Sequence, residues 1–300
     1  MSQICAGRVV VVTGAGRGIG RGHALEFARQ GAMVVVNDLG AEVDGTGRSG
    51  GPAGEVVDLI RASGGEAVAN GDDVADWNGA ARLISTAIDT WGRLDVLVNN
   101  AGFLRDRMIV NMSESDWDDV MRVHLKGHFC PLRHAAAHWR ERSKAGEQVE
   151  ARVINTSSGA GILGSVGQGN YSAAKAGIAA LTLVAAAELG RYGATVNAIA
   201  PAARTRMTEG VFDTMAKPDE GFDAMAPDNI APLVVWLGSV GSAGVTGQVF
   251  QVEGGVIGLA EGWHDGPRQD KGARWEPDEV GPVVRGLLTK ATPAQPVFGG

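Results

Sequence analysis

The run Val9-Val10-Val11-Val12, followed at once by Thr13-Gly14-Ala15-Gly16-Arg17-Gly18-Ile19-Gly20, constrains the chain more than any other feature. Four β-branched residues without polar alternation suit a strand buried on both faces, as in parallel sheets covered by helices. The glycines allow a sharp turn, and a helical pattern over residues 19–30 begins inside the motif, with Gly31 as its stop. A strand, a glycine loop and a helix in that order offer free backbone N–H groups to a pyrophosphate. The spacing G-x-x-x-G-x-G departs from the common dinucleotide fingerprint. Candidate cofactor contacts here are Gly14, Gly16, Arg17, Gly18, Ile19 and Gly20.

The alternation continues along the chain. Strands are expected at 33–37, 67–69, 94–98, 153–156, 195–199 and 249–252, and helices at 55–62, 76–90, 113–142 and 171–189. With the valine run this makes seven strands, which predicts an α/β fold: one doubly wound, Rossmann-like parallel sheet over residues 1–258. Residues 40–54 read as a mobile, glycine-rich surface loop. Residues 259–300, with Trp263, Trp275 and five prolines, read as an extension packed on the core.

Bulk properties exclude several function classes. Hydrophobic residues at 44% and charged residues at 20% suit a globular chain of 300 residues with a large core. The formal charge of −7 argues against nucleic acid and anionic membranes as partners. Cys5 and Cys130 match no metal-ligand spacing, so no metal site is expected and both read as free thiols. The longest uncharged run, 153–174, is interrupted by Asn155, Gln168 and Asn170, so no membrane insertion is expected. The first seven residues are too short for a signal peptide, and a cytoplasmic location is the expectation.

Asp38 ends the second strand, 18 residues beyond Gly20. A carboxylate there can accept both adenosine ribose hydroxyls and repels a 2′-phosphate by about 4 kcal/mol per unit charge at an effective dielectric near 20. That favours NAD over NADP, with Arg17 left in a neutral role. Asp73 and Val74 stand where an adenine would border the third strand. Asn99-Asn100-Ala101-Gly102 ends the fourth, where small residues let the chain pass beneath a cofactor.

Tyr171-Ser172-Ala173-Ala174-Lys175 opens a helix, so Tyr171 and Lys175 share one face. A free phenol is only about 0.1% ionised at pH 7, and a neighbouring ammonium favours the phenolate that a base requires. Ser158, just past the fifth strand, can hold a substrate oxygen, with Ser157 as its competitor.

Together the glycine loop, the segment 99–102, Ser158, Tyr171 and Lys175 resemble the short-chain dehydrogenase/reductase family across residues 5–258. The resemblance implies that Tyr171 is the general acid/base, that Ser158 orients the carbonyl, and that Lys175 anchors the nicotinamide ribose and tunes Tyr171. It also implies cofactor contacts from Pro201 and Thr205, and a homodimer or homotetramer built on the long helix and the Tyr171 helix. Two departures stand out. His124 occupies the place of the family's relay asparagine, and supports that relay through its carbonyl or imidazole or else only packs. Pro201-Ala202-Ala203 replaces the usual Pro-Gly.

Four further segments, Val36-Asn37-Asp38-Leu39-Gly40, Leu104-Arg105-Asp106-Arg107, Arg122-Val123-His124-Leu125 and Ala231-Pro232-Leu233-Val234, are similar to one branch of that family. This branch is the dehydrogenase portion of peroxisomal multifunctional enzyme type 2. The likeness implies NAD-dependent oxidation of a (3R)-3-hydroxyacyl-CoA with a fatty or sterol side chain. Arg105 and Arg107 then either meet coenzyme A phosphates or pair locally with Asp106. The segment 207–225, with Val211, Phe212, Met215 and Phe222, reads as a substrate lid or as core. Competing expectations are a 3-oxoacyl-carrier-protein or ketosteroid reductase, and a non-catalytic nucleotide-binding sensor.

Overall fold

The valine run forms β1 (Val9–Thr13), and its side chains divide between two cores as strand alternation requires. Val10 and Val12 join Phe27, Ile60 and Val234 on one side. Val9 and Val11 join Leu83, Leu97 and Trp139 on the other. Each such side chain, fully buried, contributes about 1.5–3 kcal/mol relative to exposure. The computed structural model describes residues 3–41, 47, 51–205, 218, 220–293 and 295–299.

Along the chain, α1 (Gly18–Arg29), β2 (Met33–Asn37), α2 (Gly51–Ala62), β3 (Glu66–Asn70) and α3 (Trp77–Trp91) complete the first half. The second half begins with β4 (Val96–Asn99), α4 (Glu114–Met121), α5 (Gly127–Lys144), β5 (Ala151–Thr156) and α6 (Gly159–Leu163). It continues through α7 (Gly169–Leu189), β6 (Ala194–Ala202), α8 (Ala231–Gly238), β7 (Val249–Glu253), β8 (Val256–Leu259) and α9 (Pro277–Leu288). The strand order β3-β2-β1-β4-β5-β6-β7-β8 reverses direction between β1 and β4. In open α/β sheets, ligands bind at the carboxyl ends of the strands at such a switch point.

Three expectations are corrected. The sheet has eight strands, not seven, because Gly254 and Gly255 turn the chain into β8, antiparallel to β7. Val256, Ile257 and Leu259 are exposed, and β8 is a four-residue edge strand broken by Gly258, too short to stand out in sequence. The long helix expected over 113–142 is instead α4 and α5 joined by a π-helical turn, Arg122–Lys126, with Ser113 and Asp116 forming a capping box at its start. Residues 51–54 belong to the first turn of α2, where Pro52 needs no amide hydrogen. The rest of the loop expected at 40–54 lies largely outside the described residues, as do Val211, Phe212 and Met215 of the expected lid, while Phe222 is exposed.

The helix and turn Gly169–Tyr192 are long and apolar enough to cross a membrane. Here one face packs against β5, β6 and α4, while Leu183 and Val184 on another face are exposed. Beyond β8 the chain runs over the surface, with Trp263 fully exposed and no residue of α9 buried. It returns at Phe298, whose carbonyl accepts the Val166 amide at 3.0 Å and whose amide donates to the Gly164 carbonyl at 3.2 Å.

Candidate active site

Thr13, the last residue of β1, fastens the glycine loop to the end of β4. Its hydroxyl oxygen accepts the amides of Asn100 (2.9 Å) and Ala101 (3.1 Å). The Asn100 side chain returns two bonds, to the carbonyls of Thr13 (3.0 Å) and Gly14 (3.2 Å). So close an approach leaves no room for a side chain: a Cβ on Gly14, whose φ is +61°, would lie 2.8 Å from Ala101 Cα. One on Gly20 would lie 2.1 Å from the Gly14 oxygen.

Helix α1 then starts with Arg17 at its cap position, without a side-chain cap and without an acidic residue in the first turn. Its own first turn brings no carboxylate to the leading N–H groups, which suits a pyrophosphate there. Arg17 itself is exposed, Gly18 faces Thr205 across a gap a Cβ would fill (3.5 Å), and Ile19 packs on the first core. Asp38 accepts the Gly16 amide on one oxygen (2.8 Å) and the Gly40 amide on the other (2.7 Å). Each oxygen keeps a lone pair for a ribose hydroxyl. The Asp73 carboxylate is engaged elsewhere, by Arg122 and the Ala75 amide, both at 2.8 Å. Val74 is buried against the bare face of Gly127. Pro201 pairs with Val252 in the sheet. The cradle fits a dinucleotide.

Across the switch point, β5 delivers two serines and α7 delivers the tyrosine and lysine. The two serines differ in their contacts. Ser157 is buried and spends its hydroxyl on the Lys175 carbonyl at 2.9 Å. The Ser158 hydroxyl lies near enough to the Tyr171 phenol to lower its pKa, and it caps α6 through the Ala160 amide at 3.2 Å. The Lys175 ammonium donates to the Thr156 carbonyl at 2.6 Å and stands 5.5 Å from the centre of the Tyr171 ring.

The electrostatics differ from the expected simple depression of the phenol. Burial pushes Tyr171 above its ordinary value of 10, and the Ser158 hydrogen bond offsets part of that. Burial likewise drives Lys175 down to about 7. His124, buried in the π-helical turn, is pushed down to about 3 by burial and by Lys175. It is therefore neutral at physiological pH, with its Nε2 bonded to the Phe103 carbonyl at 2.7 Å. Arg105 pairs with Asp116 (3.8 Å) and Asp119 (3.5 Å) rather than with Asp106, which is bonded by Gln168 instead at 2.9 Å.

Sequence reasoning missed several buried polar groups that shape the site. Asn99 bonds Asn155 at 3.0 Å, which bonds Thr182 at 2.9 Å, lacing β4, β5 and α7 together. His128 accepts the Thr156 amide at 3.3 Å, steadying the peptide that holds Lys175. Asn170 lies fully buried beside Tyr171. The one available signal was polar residues inside otherwise apolar runs, such as Asn155 after Val153-Ile154.

Comparison with known proteins agrees with this geometry. The sequence model of the family described as short chain dehydrogenase matches residues 8–216. Hydroxyacyl-CoA dehydrogenase ChsB1 of Mycobacterium tuberculosis is 45% identical over 97% of this chain and 91% of its own length. Mouse peroxisomal multifunctional enzyme type 2 is 46% identical over 96% of this chain, which spans 35% of that longer protein. A crystal structure of a short chain dehydrogenase from Mycobacterium avium superposes with a TM-score of 0.90 at 64% identity, covering 99% of this chain and all of the other. With the family model matching residues 8–216 and a relative 45% identical over nearly its whole length, the chain belongs to the short-chain dehydrogenase family.

Proposed function

We propose that the protein is an NAD-dependent dehydrogenase that converts a (3R)-3-hydroxyacyl-CoA, with a fatty or sterol side chain, to the 3-oxoacyl-CoA. The observation that carries this reading is the Tyr171 phenol with the Ser158 hydroxyl beside it and the Lys175 ammonium 5.5 Å from its ring centre, at the strand ends that also hold the glycine loop. The acyl-CoA class comes from the named activity of the relative that this chain matches almost end to end. Asp38 supports NAD, since its carboxylate would oppose a 2′-phosphate.

Bound NAD supplies the hydride acceptor. Ser158 donates to the substrate oxygen and fixes it at Tyr171. The Tyr171 oxygen takes the hydroxyl proton as the C3–H bond breaks and the carbonyl forms. Lys175, held by the Thr156 carbonyl, is placed to bind the nicotinamide ribose and to stabilise the phenolate. Thr205 and Pro201 would border the cofactor on the β6 side, and Val74 and the backbone of Asp73, whose carboxylate is held by Arg122, on the adenine side. Asn100, Ala101 and Gly102 form the floor. His124 sits behind Tyr171.

One observation favours a second reading. A phenol raised by burial is suited to giving a proton, as in reduction of a 3-oxoacyl-carrier protein or a ketosteroid. Following NAD and NADP reduction with paired (3R)- and (3S)-hydroxyacyl-CoA esters, from short chains to sterol-bearing ones, separates the two. Turnover of the (3R) esters with NAD is expected, and a clear NADP preference or no thioester turnover would sink the oxidative reading. The same proposal takes residues 1–258 as the catalytic unit, 259–300 as its extension, a homodimer or homotetramer as the assembly, and the cytoplasm as the location. Light scattering that gives a monomer would contradict the assembly.

A further inference from the structure

One buried side chain joins the catalytic helix to the loop after β4. Asn170 is 0% exposed. Its Nδ2 donates to the carbonyls of Arg105 (3.1 Å) and Asp116 (2.9 Å), and its Oδ1 accepts the amide of Tyr171 at 2.8 Å. Helix α7 receives no side-chain cap from Gln168, so Asn170 satisfies the leading amide that belongs to Tyr171.

The same loop is gripped a second time. His124, with its proton on Nε2, donates to the Phe103 carbonyl at 2.7 Å. Its ring stands edge-on to the Tyr171 ring, with centroids 5.2 Å apart. A Cβ on Gly102 would fall 2.2 Å from the imidazole Cε1, so the ring fills the space that Gly102 leaves. The contacts close a circuit from Tyr171 through Asn170, the loop backbone and His124 back to Tyr171.

We propose that Asn170 is a positioning residue for Tyr171. One donor bond fixes the loop and the other fixes α4 against the first turn of α7, and the loop, through His124, fixes the phenol over Lys175 and beside Ser158. Asn170 touches neither substrate nor reacting atoms. The role rests on Tyr171 being the acid/base of the proposed reaction.

The chain has two tyrosines, so Tyr192→Phe leaves Tyr171 as the only phenol to titrate. In that background, Asn170→Asp keeps the acceptor for the Tyr171 amide but loses both donors, and Asn170→Ala loses everything without adding charge. Both are expected to lower kcat about tenfold with KM for NAD within about twofold. Both should also move the phenolate absorbance titration by about one pH unit. Gln168→Leu, which cuts the neighbouring tie to Asp106, should leave both readouts unchanged.

Parent-like titration and kcat in the folded Asp or Ala variant would overturn the proposal. So would a Gln168→Leu effect as large as theirs, or loss of the far-UV circular dichroism of the fold in both Asn170 variants. If the parent turns over no hydroxyacyl-CoA, the substrate reading fails by itself, and the phenolate titration still decides the role of Asn170.

Discussion

The two sides of the β1–β4 switch point are built from different atoms. On the dinucleotide side the contacts are backbone N–H groups, close glycines and one partly exposed carboxylate, Asp38. On the catalytic side they are side chains taken out of water: Lys175, His124 and His128, none more than 2% exposed, with Tyr171 against them. Backbone donors bind charge without changing protonation state, so the first side adds little pH dependence to folding. Buried titratable groups are destabilised in their charged forms, so the second side holds chemistry at the expense of stability. Activity and stability should therefore be coupled on the catalytic side and separable on the other.

The largest expected effect tests the catalytic side directly. Tyr171→Phe removes the proton acceptor and should lower kcat by about 10³-fold, with the binding of NADH unchanged. Stopped-flow turnover and a fluorescence titration measure the two separately. Loss of cofactor binding together with activity would show that the sides are not independent.

Lys175 gives the stability counterpart. Its pKa in the fold is about 7 against 10.5 when free, so the unfolded chain binds more protons between those values. The penalty on the fold is complete below about pH 7 and fades as pH rises toward 10.5. Lys175→Met should lose activity yet gain about 2–4 kcal/mol at pH 7, after the lost bond to Thr156. The gain should shrink by pH 10. Urea unfolding at the two pH values reads this, and a destabilised variant at pH 7 would mean that water already reaches the ammonium.

The same contrast explains what could be read from the sequence. Candidates with a distinctive side chain, or with none, were open to a reading by type and spacing: the glycine loop, Asp38, Tyr171 and Lys175. The central strands were legible too, because Val9–Thr13 is buried throughout. By contrast, Ser157 and Ser158 are adjacent and chemically identical, and only the direction of each hydroxyl separates them. Asn170 and His124 bond the carbonyls of Arg105, Asp116 and Phe103, and a sequence does not say which carbonyls lie nearby. Strand β8 was illegible because it is a four-residue edge strand broken by Gly258.

Asp38 sharpens the comparison from the dinucleotide side. Asp38→Asn keeps the shape and removes the charge, and should move the ratio of kcat/KM for NADP over NAD upward by roughly 100-fold. Thermal stability should barely change, because its partners are the backbone amides of Gly16 and Gly40. A matching loss of stability would show that the carboxylate is needed to hold the loop closed even without cofactor.

His23 can break the comparison. It lies on α1, on the dinucleotide side, yet it is completely buried, with neither ring nitrogen hydrogen-bonded, and burial pushes its pKa down to about 3. The unfolded chain protonates it near 6.5, so its contribution is complete above that value and is lost as pH falls toward 3. At pH 5 the loss is about 2 kcal/mol. His23→Leu should remove that increment, so the stability lost between pH 7 and pH 5 becomes smaller by the same amount, while His124 and His128 keep the rest of the acid slope. Equal losses in variant and parent would mean that the imidazole charges inside the fold, and that the core beneath the glycine loop admits water where the backbone-built side was expected to be inert.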